Sequence, residues 1–422
     1  MKTLDQEARA LFDAAVARAD PAAALRQALQ AAPLPPLETG GQSYILALGK
    51  AAVPMMQEML VHCPEPRQAL VVTNPENQHP VPGARVLAGA HPVPDHTSAE
   101  AGAAVLDFLS RTTAKDRVFV LVSGGGSALM VAPAPGLTLA DKATVSTALL
   151  SSGLEINEMN LVRQQLSQLK GGGLLRHAAP APVQAYILSD VIGDDLRAIA
   201  SGPTVSALGT PAEARALLQQ AGVWQDLSAA VRSHLEQPHT PQNLPLPEAQ
   251  NQLIGSNRHS LAAILELASA HGWQAELVSD HLVGDVAEAA EDILQAAKSA
   301  PSDRPVALIF GGETTVRLQG TGLGGRNQEL ALRLAQRGAT ELSGDWLFLS
   351  GGTDGRDGPT DAAGGIVTPH TWETITKAGK DGAALLANND SYAALKAAEA
   401  LLITGATGTN VADVQLFLRR PG

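Results

Sequence analysis

The feature that most constrains the fold is an alternation that runs along the whole chain. Short strand-like runs end in glycine and lead into stretches rich in alanine and leucine. Parallel strands need a crossover connection, which a helix usually supplies, so this alternation predicts a parallel sheet. The first half is therefore expected to fold as a Rossmann-like, doubly wound α/β layer. Its predicted strands are 44–48, 69–73, 118–122 and 183–188, and its predicted helices are 51–61, 97–111, 138–151 and 157–169.

The chain has 422 residues, more than one hydrophobic core usually organises, and this predicts two domains. The run QPHTPQNLPLP, from Gln237 to Pro247, concentrates proline and polar residues as linkers do. We therefore expect an N-terminal α/β domain over 1–240 and a smaller C-terminal α/β domain over 241–422. In the second domain the predicted strands are 252–255, 275–278, 306–310, 346–350 and 411–418, and the predicted helices are 257–271, 284–298, 326–337 and 389–402.

Composition and charge exclude several classes of protein. A formal net charge of -12, without a run of lysine and arginine, opposes binding to a nucleic-acid backbone. Cys63 is the only cysteine, so an internal disulfide or a multi-cysteine metal site is excluded and a reducing compartment is expected. The segment Lys2–Gln30 reads as a pair of amphipathic helices and lacks the apolar core of a signal peptide. Apolar runs such as Val118–Val122 are far too short to span a bilayer. A cytoplasmic location is predicted, and the sequence leaves open whether the chain forms a homo-oligomer.

The first candidate site residue is Lys50, in the run ILALGKAA. A strand ends at Gly49 and Lys50, and a helix is predicted to start directly afterwards. The free N–H groups and the dipole at a helix N-terminus favour anions, so a cation there is misplaced unless an anionic ligand joins it. The alternative is a solvated lysine whose long stem carries the charge away from the helix.

The second candidate is the glycine-rich segment that follows the apolar strand 118–122. Its residues are Ser123, Gly124, Gly125, Gly126 and Ser127. Consecutive glycines allow the backbone to approach a phosphate closely and to direct several N–H groups at it. The segment is not a Walker A loop, because the spacing G-x-x-x-x-G-K-[ST] occurs nowhere in the chain. We predict a nucleotide or phosphate site here, and the alternative is a tight turn in which glycine serves only packing.

The third candidate is Asp190, which lies just past the predicted strand 183–188 and opens a loop that contains two further aspartates. Magnesium is usually held by one or two carboxylates together with phosphates and water. A carboxylate at this position could also accept the proton of an attacking hydroxyl. The sequence does not separate the role of base from the role of Mg²⁺ ligand.

Two further glycine-rich segments follow strands in the second half. The first carries Glu313 and then Arg326, which stands immediately before a leucine-rich helix and repeats the electrostatic conflict seen at Lys50. A guanidinium in that place is explained if it binds a carboxylate or a transferring phosphoryl group. The second, GTDGRDGPTDAAGG, includes Asp354 and could hold a metal, a ribose or the hydroxyls of a substrate, although many such Asp-Gly runs are plain turns.

A dinucleotide site is an alternative for this half of the chain. Gly320, Gly322 and Gly325 satisfy the spacing G-x-G-x-x-G. The acidic residue that should end the next strand is missing, because Glu341 precedes the strand predicted from about Trp346. The match is therefore discounted.

Several of these motifs occur together in a fixed order. They are LGKAA, SGGGSAL, LSD…GD…IASGPT, GGETTV…GGRNQELAL, GTDGRDGPTDAAG and TGTNVAD, and they extend from Leu48 to Asp413. In this respect the chain resembles the class II glycerate kinases, whose C-terminal part is known as the MOFRL domain. The resemblance implies two α/β domains with the active site in the cleft between them. It also implies transfer of the ATP γ-phosphoryl group to the 2-hydroxyl of D-glycerate, with Mg²⁺ as cofactor.

The resemblance also implies roles for individual residues. Lys50 matches the active-site lysine of the family, Asp190 its catalytic-site aspartate, and Arg326 the arginine of the GGRNQE motif. Glu313, Asp354 and Asn410 match further positions in the cleft. Two other functions remain open at this point. One is an NAD(P)H-dependent hydroxypyruvate reductase, and the other is a non-catalytic module that binds a phosphorylated sugar acid.

Overall fold

The computed structural model describes residues 2–237 and 246–421. The chain divides into two compact units. The N-terminal unit is the continuous segment 24–254, and the C-terminal unit combines residues 1–23 with 255–422. The predicted linker 237–247 lies mostly outside the described residues.

The N-terminal unit is built on a six-stranded sheet of order β3-β2-β1-β4-β5-β6. The pairs β1–β2, β1–β4, β2–β3 and β4–β5 are all parallel. The strands are β1 Ser43–Leu48, β2 Arg67–Thr73, β3 Arg85–Ala88, β4 Arg117–Val122, β5 Val183–Leu188 and β6 Ala249–Gly255. The helices are α2 Pro21–Ala31, α3 Ala52–His62, α4 His96–Leu109, α5 Gly126–Leu129, α6 Leu139–Ser151, α7 Ile156–Gln165, α8 Gly173–Ala178, α9 Pro211–Gln220 and α10 Ala229–Glu236. Short 3₁₀ turns span Pro75–Asn77, Ile199–Ser201 and Trp224–Asp226.

This sheet has the order of a doubly wound fold, and it confirms the α/β prediction for the first half. All six residues of β1 are buried, as expected for a central parallel strand with helices on both faces. The order reverses between β1 and β4, because β2 and β3 lie on one side of β1 while β5 and β6 lie beyond β4. In open α/β sheets, ligands bind outside the carboxyl ends of the strands at such a switch point. Here those ends lead into Gly49–Lys50 and into Ser123–Ser127.

The C-terminal unit contains a second six-stranded sheet, of order β11-β10-β9-β12-β8-β7. Its strands are β7 Gln274–Asp285, β8 Val306–Thr315, β9 Asp345–Gly352, β10 Gly364–Val367, β11 Leu401–Leu402 and β12 Asp413–Arg420. The helices are α1 Leu4–Arg18, α11 Asn257–Ala270, α12 Val286–Ser299, α13 Arg326–Glu341, α14 Thr371–Lys377, α15 Gly382–Ala387 and α16 Ser391–Ala397.

The second sheet is mixed, which corrects the prediction of a parallel sheet for this half. Only β7–β8 is parallel among the registered pairs, while β12 runs antiparallel to both β8 and β9. Strand β10 is antiparallel to β9 because a loop without a helix joins them, so no crossover is made. The alternation of strands and helices predicts parallel pairing only where the helix connects two neighbouring strands.

One predicted helix is shorter in the structure. Residues 389–402 were expected to be helical throughout, but α16 ends at Ala397 and a two-residue strand follows at Leu401–Leu402. Glu399 adopts a left-handed backbone conformation with φ 53°, which cannot continue a right-handed helix. Among the described residues, no helix combines the length and the apolar character needed to cross a bilayer.

The unit boundary in the structure, at 254/255, differs from the predicted 240/241 for two reasons. Strand β6 was assigned to the second domain, yet it is the edge strand beside β5 in the first sheet. Helix α1 was assigned to the first domain, yet Leu11 and Phe12 are fully buried in a core cluster with residues of α11 and β12. The Thr409 hydroxyl also donates to the Ala19 carbonyl at 2.6 Å. The first helix therefore belongs to the C-terminal unit.

Candidate active site

The carboxyl end of β1 is bound closely to the glycine-rich loop after β4. Gly49 has φ +114°, and a Cβ there would meet the Ser123 carbonyl oxygen at 2.4 Å, so only glycine fits. The backbone N–H of Lys50 donates to the Gly124 carbonyl at 2.9 Å. Helix α3 begins two residues later, at Ala52, and the side chain of Lys50 is exposed. Lys50 therefore stands at the switch point with its ammonium group directed away from the packed core.

The glycine-rich loop separates into structural and accessible residues. The Ser123 hydroxyl is buried, accepts from the Ala51 N–H at 3.1 Å and donates to the Leu48 carbonyl at 3.2 Å. A Cβ on Gly126 would meet Leu48 at 2.7 Å, so this glycine is required for packing. Gly124, Gly125 and Ser127 are only partly buried. Of the five residues predicted to bind phosphate, these three remain accessible to solvent, while Ser123 and Gly126 fix the shape of the loop.

The loop brings Lys50 and Asp190 into one neighbourhood. A Cβ on Gly124 would meet the Asp190 carboxylate at 2.0 Å, and a Cβ on Gly125 would meet the Lys50 side chain at 3.2 Å. The two glycines thus lie against the two charged residues, and a Cβ on Gly124 would clash with the Asp190 carboxylate. Asp190 follows β5, the neighbour of β4, so the geometry follows directly from the strand order. Three segments distant in sequence meet here because they end adjacent parallel strands.

The electrostatics of Asp190 reflect this neighbourhood. Burial raises the pKa of the Asp190 carboxyl, and the nearby Lys50 ammonium opposes that rise. Among the described residues there is no group of three histidine, cysteine or acidic side chains that could hold a metal by itself. A single carboxylate at a strand end nevertheless fits Mg²⁺, because that ion usually takes one or two carboxylates and completes its shell with phosphates and water.

His91 is a neighbour of this site that the sequence did not indicate. A Cβ on Gly125 would meet the His91 ring at 3.3 Å, on the same side as Lys50. Burial lowers the pKa of His91, and the positive charge of Lys50 lowers it further. A neutral imidazole beside the ammonium group is therefore favoured. His91 lies in a loop without a paired motif, so no pattern in the sequence pointed to it.

A second charged cluster lies in the C-terminal unit around Arg326, the first residue of α13. Its Nε and Nη2 atoms donate to the two oxygens of Asp413 at 2.5 and 3.0 Å, and its Nη1 lies 3.2 Å from Glu313. Asp413 is fully buried. These carboxylates raise the pKa of Arg326 above its already high value. The cation that seemed misplaced at a helix start is thus already paired within the chain. Asp413 is the last residue of the TGTNVAD motif, but it was not predicted as a site residue.

The two other residues predicted for this half lie on loops near the cluster. A Cβ on Gly352 would meet Asp354 at 3.2 Å and Asp413 at 3.4 Å, so Asp354 lies beside the ion pair. The Asn410 side chain accepts from the Ala412 N–H at 3.1 Å, a local bond within its own loop. The Thr353 hydroxyl donates to the Ala412 carbonyl and accepts from the Val411 N–H, and this joins the two loops. Asp354 therefore adjoins Arg326 and its partners, whereas the contact described for Asn410 is internal.

The N-terminus of α13 is occupied by an aspartate of the same unit. The Asp357 carboxylate accepts from the N–H groups of Asn327 at 3.1 Å and Gln328 at 2.8 Å, and it is almost fully buried. A pyrophosphate bound through the G-x-G-x-x-G spacing would need those donors. The structure therefore explains this glycine spacing without a dinucleotide, and it assigns Asp357 to capping.

Comparison with known proteins identifies the family. Residues 7–236 match the family model described as a domain of unknown function, DUF4147, and residues 306–413 match the MOFRL family. The chain is 41% identical to D-glycerate 2-kinase from Thermotoga maritima over 381 residues, which cover 89% of this chain and 90% of that protein. It is 38% identical to glycerate 2-kinase from Pyrococcus horikoshii, covering 90% of this chain and 88% of that protein.

A solved structure agrees with these relatives. The crystal structure of glycerate kinase from Thermotoga maritima superposes with a TM-score of 0.90 at 37% identity, covering 99% of both chains. Fold, family models and relatives thus agree over nearly the full length. The chain belongs to the class II glycerate kinase family, with an N-terminal DUF4147 region and a C-terminal MOFRL region.

Proposed function

We infer that the protein is an ATP-dependent kinase that transfers the γ-phosphoryl group of ATP to the 2-hydroxyl of D-glycerate, giving 2-phosphoglycerate and ADP. One observation carries this inference beyond family membership. At the switch point of the first sheet, the loop 123–127 lies against both Lys50 and Asp190. Catalysis of phosphoryl transfer consists mostly of positioning the reactants and stabilising charge. It therefore uses a backbone that phosphate can approach closely, together with a cation and a carboxylate.

Lys50 is proposed to neutralise the charge that gathers on the transferring phosphoryl group. Its ammonium is exposed, and no carboxylate in the described part of the chain forms an ion pair with it. The neighbouring N–H groups of Gly124 and Gly125 are proposed to donate to phosphate oxygens, because glycine allows the backbone to come close to a phosphate. The accessible hydroxyl of Ser127, which lies 2.7 Å from that of Ser201, is a further donor.

Asp190 is proposed to accept the proton of the attacking hydroxyl or to hold Mg²⁺. When bound, Mg²⁺ would neutralise charge on the phosphates. Either role requires the ionised carboxylate, and Lys50 favours that form. Asp194 and Asp195 are not proposed for this function, because Asp195 forms a forked ion pair with Arg197 and Asp194 occupies a left-handed turn position.

Arg326 is proposed to bind the carboxylate of glycerate or the transferring phosphoryl group through Nη1. The other edge of the guanidinium is held by Asp413, so an anion would compete only with Glu313. We propose Glu313, Asp354 and Asn410 as further substrate-binding positions of the family. The occupied N-terminus of α13 argues against the reductase alternative, because the expected pyrophosphate donors are already used.

The direct test is to assay release of ADP from ATP in the presence of D-glycerate and Mg²⁺. We expect turnover on the order of 1–100 per second, as is typical of kinases. Coupling to enolase separates 2-phosphoglycerate, which reacts directly, from 3-phosphoglycerate, which needs a mutase first. Steady oxidation of NADH with hydroxypyruvate, in the absence of ADP release, would instead support the reductase.

The pH dependence of turnover should report on Asp190. Burial raises the pKa of the Asp190 carboxyl above its ordinary value, so activity should fall as the pH is lowered through that raised pKa, where the carboxylate takes up a proton. Removing the positive charge of Lys50 should move this acidic limb to still higher pH. The measurement compares Lys50→Met with Lys50→Arg, because substrate ionisations are the same in both. Identical limbs in the two variants would contradict the coupling between Lys50 and Asp190.

A further inference from the structure

A cavity of about 360 Å³ lies in the N-terminal unit beside the glycine-rich loop. Gly125 and Ser127 line it, and so do residues of α6 and α7. It also reaches the loop before α4, where His91 stands. The volume is within the range of small-molecule sites. The cavity therefore adjoins the accessible part of the proposed phosphate loop, but most of its wall comes from elements that none of the predicted site residues occupy.

Three cationic side chains line this cavity, and no acidic residue does. Lys142 of α6 donates to the Leu166 carbonyl at 3.1 Å, and Lys170 donates to the Ser127 carbonyl at 2.9 Å. Arg163 of α7 is the third. Lys170 is only 7% exposed, yet its single described acceptor is neutral. Among residues 2–237 and 246–421, no carboxylate forms an ion pair with any of the three.

Such an arrangement is unfavourable unless an anion lies close to the three cations. Burying a cation away from water costs free energy unless an anion compensates it, and like charges close together add repulsion. Accordingly, burial lowers the pKa of Lys142 to about 8, and the positive charge of Arg163 lowers it further. Burial also lowers the pKa of Lys170 well below its usual range, and both other cations act in the same direction. Local conflicts of this kind occur where a ligand supplies the missing charge.

The remainder of the wall is apolar. Val131, Val145 and Leu166 are buried, whereas Val93 is 74% and Leu150 is 72% exposed. Ligand sites are lined mostly by apolar side chains, and such a wall contacts the apolar part of a ligand. A small hydroxy acid has no apolar part for such a wall, but a nucleoside does.

We propose that this cavity binds the phosphate chain of the nucleotide, with Lys142, Arg163 and Lys170 as its cationic contacts and the apolar wall against the nucleoside. The proposal rests on the proposed function in one respect, because it takes the nucleotide to be ATP or ADP. The link between Lys170 and Ser127 connects this cavity to the loop beside Lys50. The cations would hold the part of the chain that is not transferred, while Lys50 acts on the transferring group.

The test uses titration calorimetry with ADP, 2-phosphoglycerate and inorganic phosphate as separate ligands. Lys142→Met and Arg163→Met are compared with Lys115→Met and Arg176→Met, which replace exposed cations of the same unit. We expect the first pair to weaken ADP binding by about tenfold or more each, as the loss of a charge-assisted hydrogen bond implies, and the second pair to leave it unchanged. In kinetics, the KM for ATP should rise while the KM for glycerate stays constant.

The outcomes separate this proposal from the proposed function. Weaker binding of 2-phosphoglycerate with unchanged ADP binding would assign the cavity to the acid substrate and overturn the proposal, as would unchanged binding of both ligands. Weaker ADP binding in a protein that does not phosphorylate glycerate would support the cavity and reject the kinase assignment. The variants should fold, because each removes a charge without an acidic partner. Thermal unfolding without ligand should show a midpoint equal to or above that of the unmodified protein.

Proton uptake gives an independent readout. Lys142 faces Arg163 and Lys170 in the cavity, which His91 also lines, so only cations or neutral groups surround it. Near pH 8 this lysine is partly neutral, and a bound phosphate chain would raise its pKa. ADP binding at pH 8 should therefore take up protons, measured by calorimetry in two buffers of different ionisation enthalpy. Lys142→Met should reduce the uptake, and an unchanged uptake in that variant would overturn the contact between Lys142 and phosphate.

Discussion

Replacing Lys50 with methionine should lower kcat by about a hundredfold to a thousandfold, the range seen when one preorganised charge-stabilising donor is removed. The ammonium is exposed and forms no ion pair within the described residues, so its loss should leave the thermal unfolding midpoint nearly unchanged. The measurement pairs steady-state kinetics at saturating ATP and glycerate with a thermal unfolding curve. Lys115→Met, which removes an exposed lysine of the same unit, serves as the control.

The Lys50→Arg variant sharpens this prediction. It keeps the positive charge but changes the shape and the point of attachment of the hydrogen-bond donors. Partial recovery of kcat would show that charge is the main contribution, whereas no recovery would show that position is. If Lys50→Met retained full turnover, the assignment of the switch point as the catalytic site would be wrong.

The second large effect is on stability, and it concerns Arg326. Arg326→Ala should lower the free energy of unfolding by about 3 kcal/mol, because it leaves the fully buried Asp413 carboxylate without its forked partner. A role in ligand binding alone would predict a loss of turnover with almost no change in unfolding, whereas the buried pair with Asp413 predicts a loss of stability. Denaturant unfolding monitored by a probe in the C-terminal unit measures this loss.

Two further variants make the Arg326 prediction specific. Adding Asp413→Asn to Arg326→Ala removes the uncompensated charge and should recover part of the lost stability. Arg258→Ala breaks an exposed ion pair with Asp280 in the same unit and should cost less than about 1 kcal/mol. Equal losses for Arg258→Ala and Arg326→Ala would contradict the buried pair as the source of the effect.

The sequence predicted the parts of the fold that depend on local patterns. The apolar runs at β1, β4 and β5 identified buried parallel strands, and the glycines after them marked the loops that carry Lys50, Ser123–Ser127 and Asp190. These residues meet because the carboxyl ends of neighbouring parallel strands lie at the same edge of the sheet. The general rule that ligands bind at this edge was enough to identify the loops as candidate sites. The antiparallel pairing of β12 in the second sheet was not predictable in this way. Strand β12 enters between β8 and β9 antiparallel to both, and no local pattern reveals where a last strand will insert.

Contacts between residues distant in sequence also explain why similar sequence patterns at two helix starts have different structural causes. Lys50 and Arg326 both stand where a cation conflicts with a helix start. The conflict at Arg326 is resolved by Asp413, which lies 87 residues away in sequence. Likewise, Lys142 and Arg163 look like ordinary helix-surface cations when read along the chain, and Lys170 directly follows a predicted helix. Only tertiary packing shows that they line one cavity without an acidic residue.

The placement of α1 in the C-terminal unit has a consequence for biosynthesis. The helix leaves the ribosome before the 24–254 segment, yet the apolar partners of Leu11 and Phe12 on α11 and β12 are translated only after that whole segment. During that interval its apolar face has no native neighbour, and premature contacts are a risk that a chaperone could reduce. The 24–254 segment, by contrast, is continuous and can begin to fold as it emerges. The time needed to synthesise this segment therefore sets the delay before α1 can pack against α11 and β12.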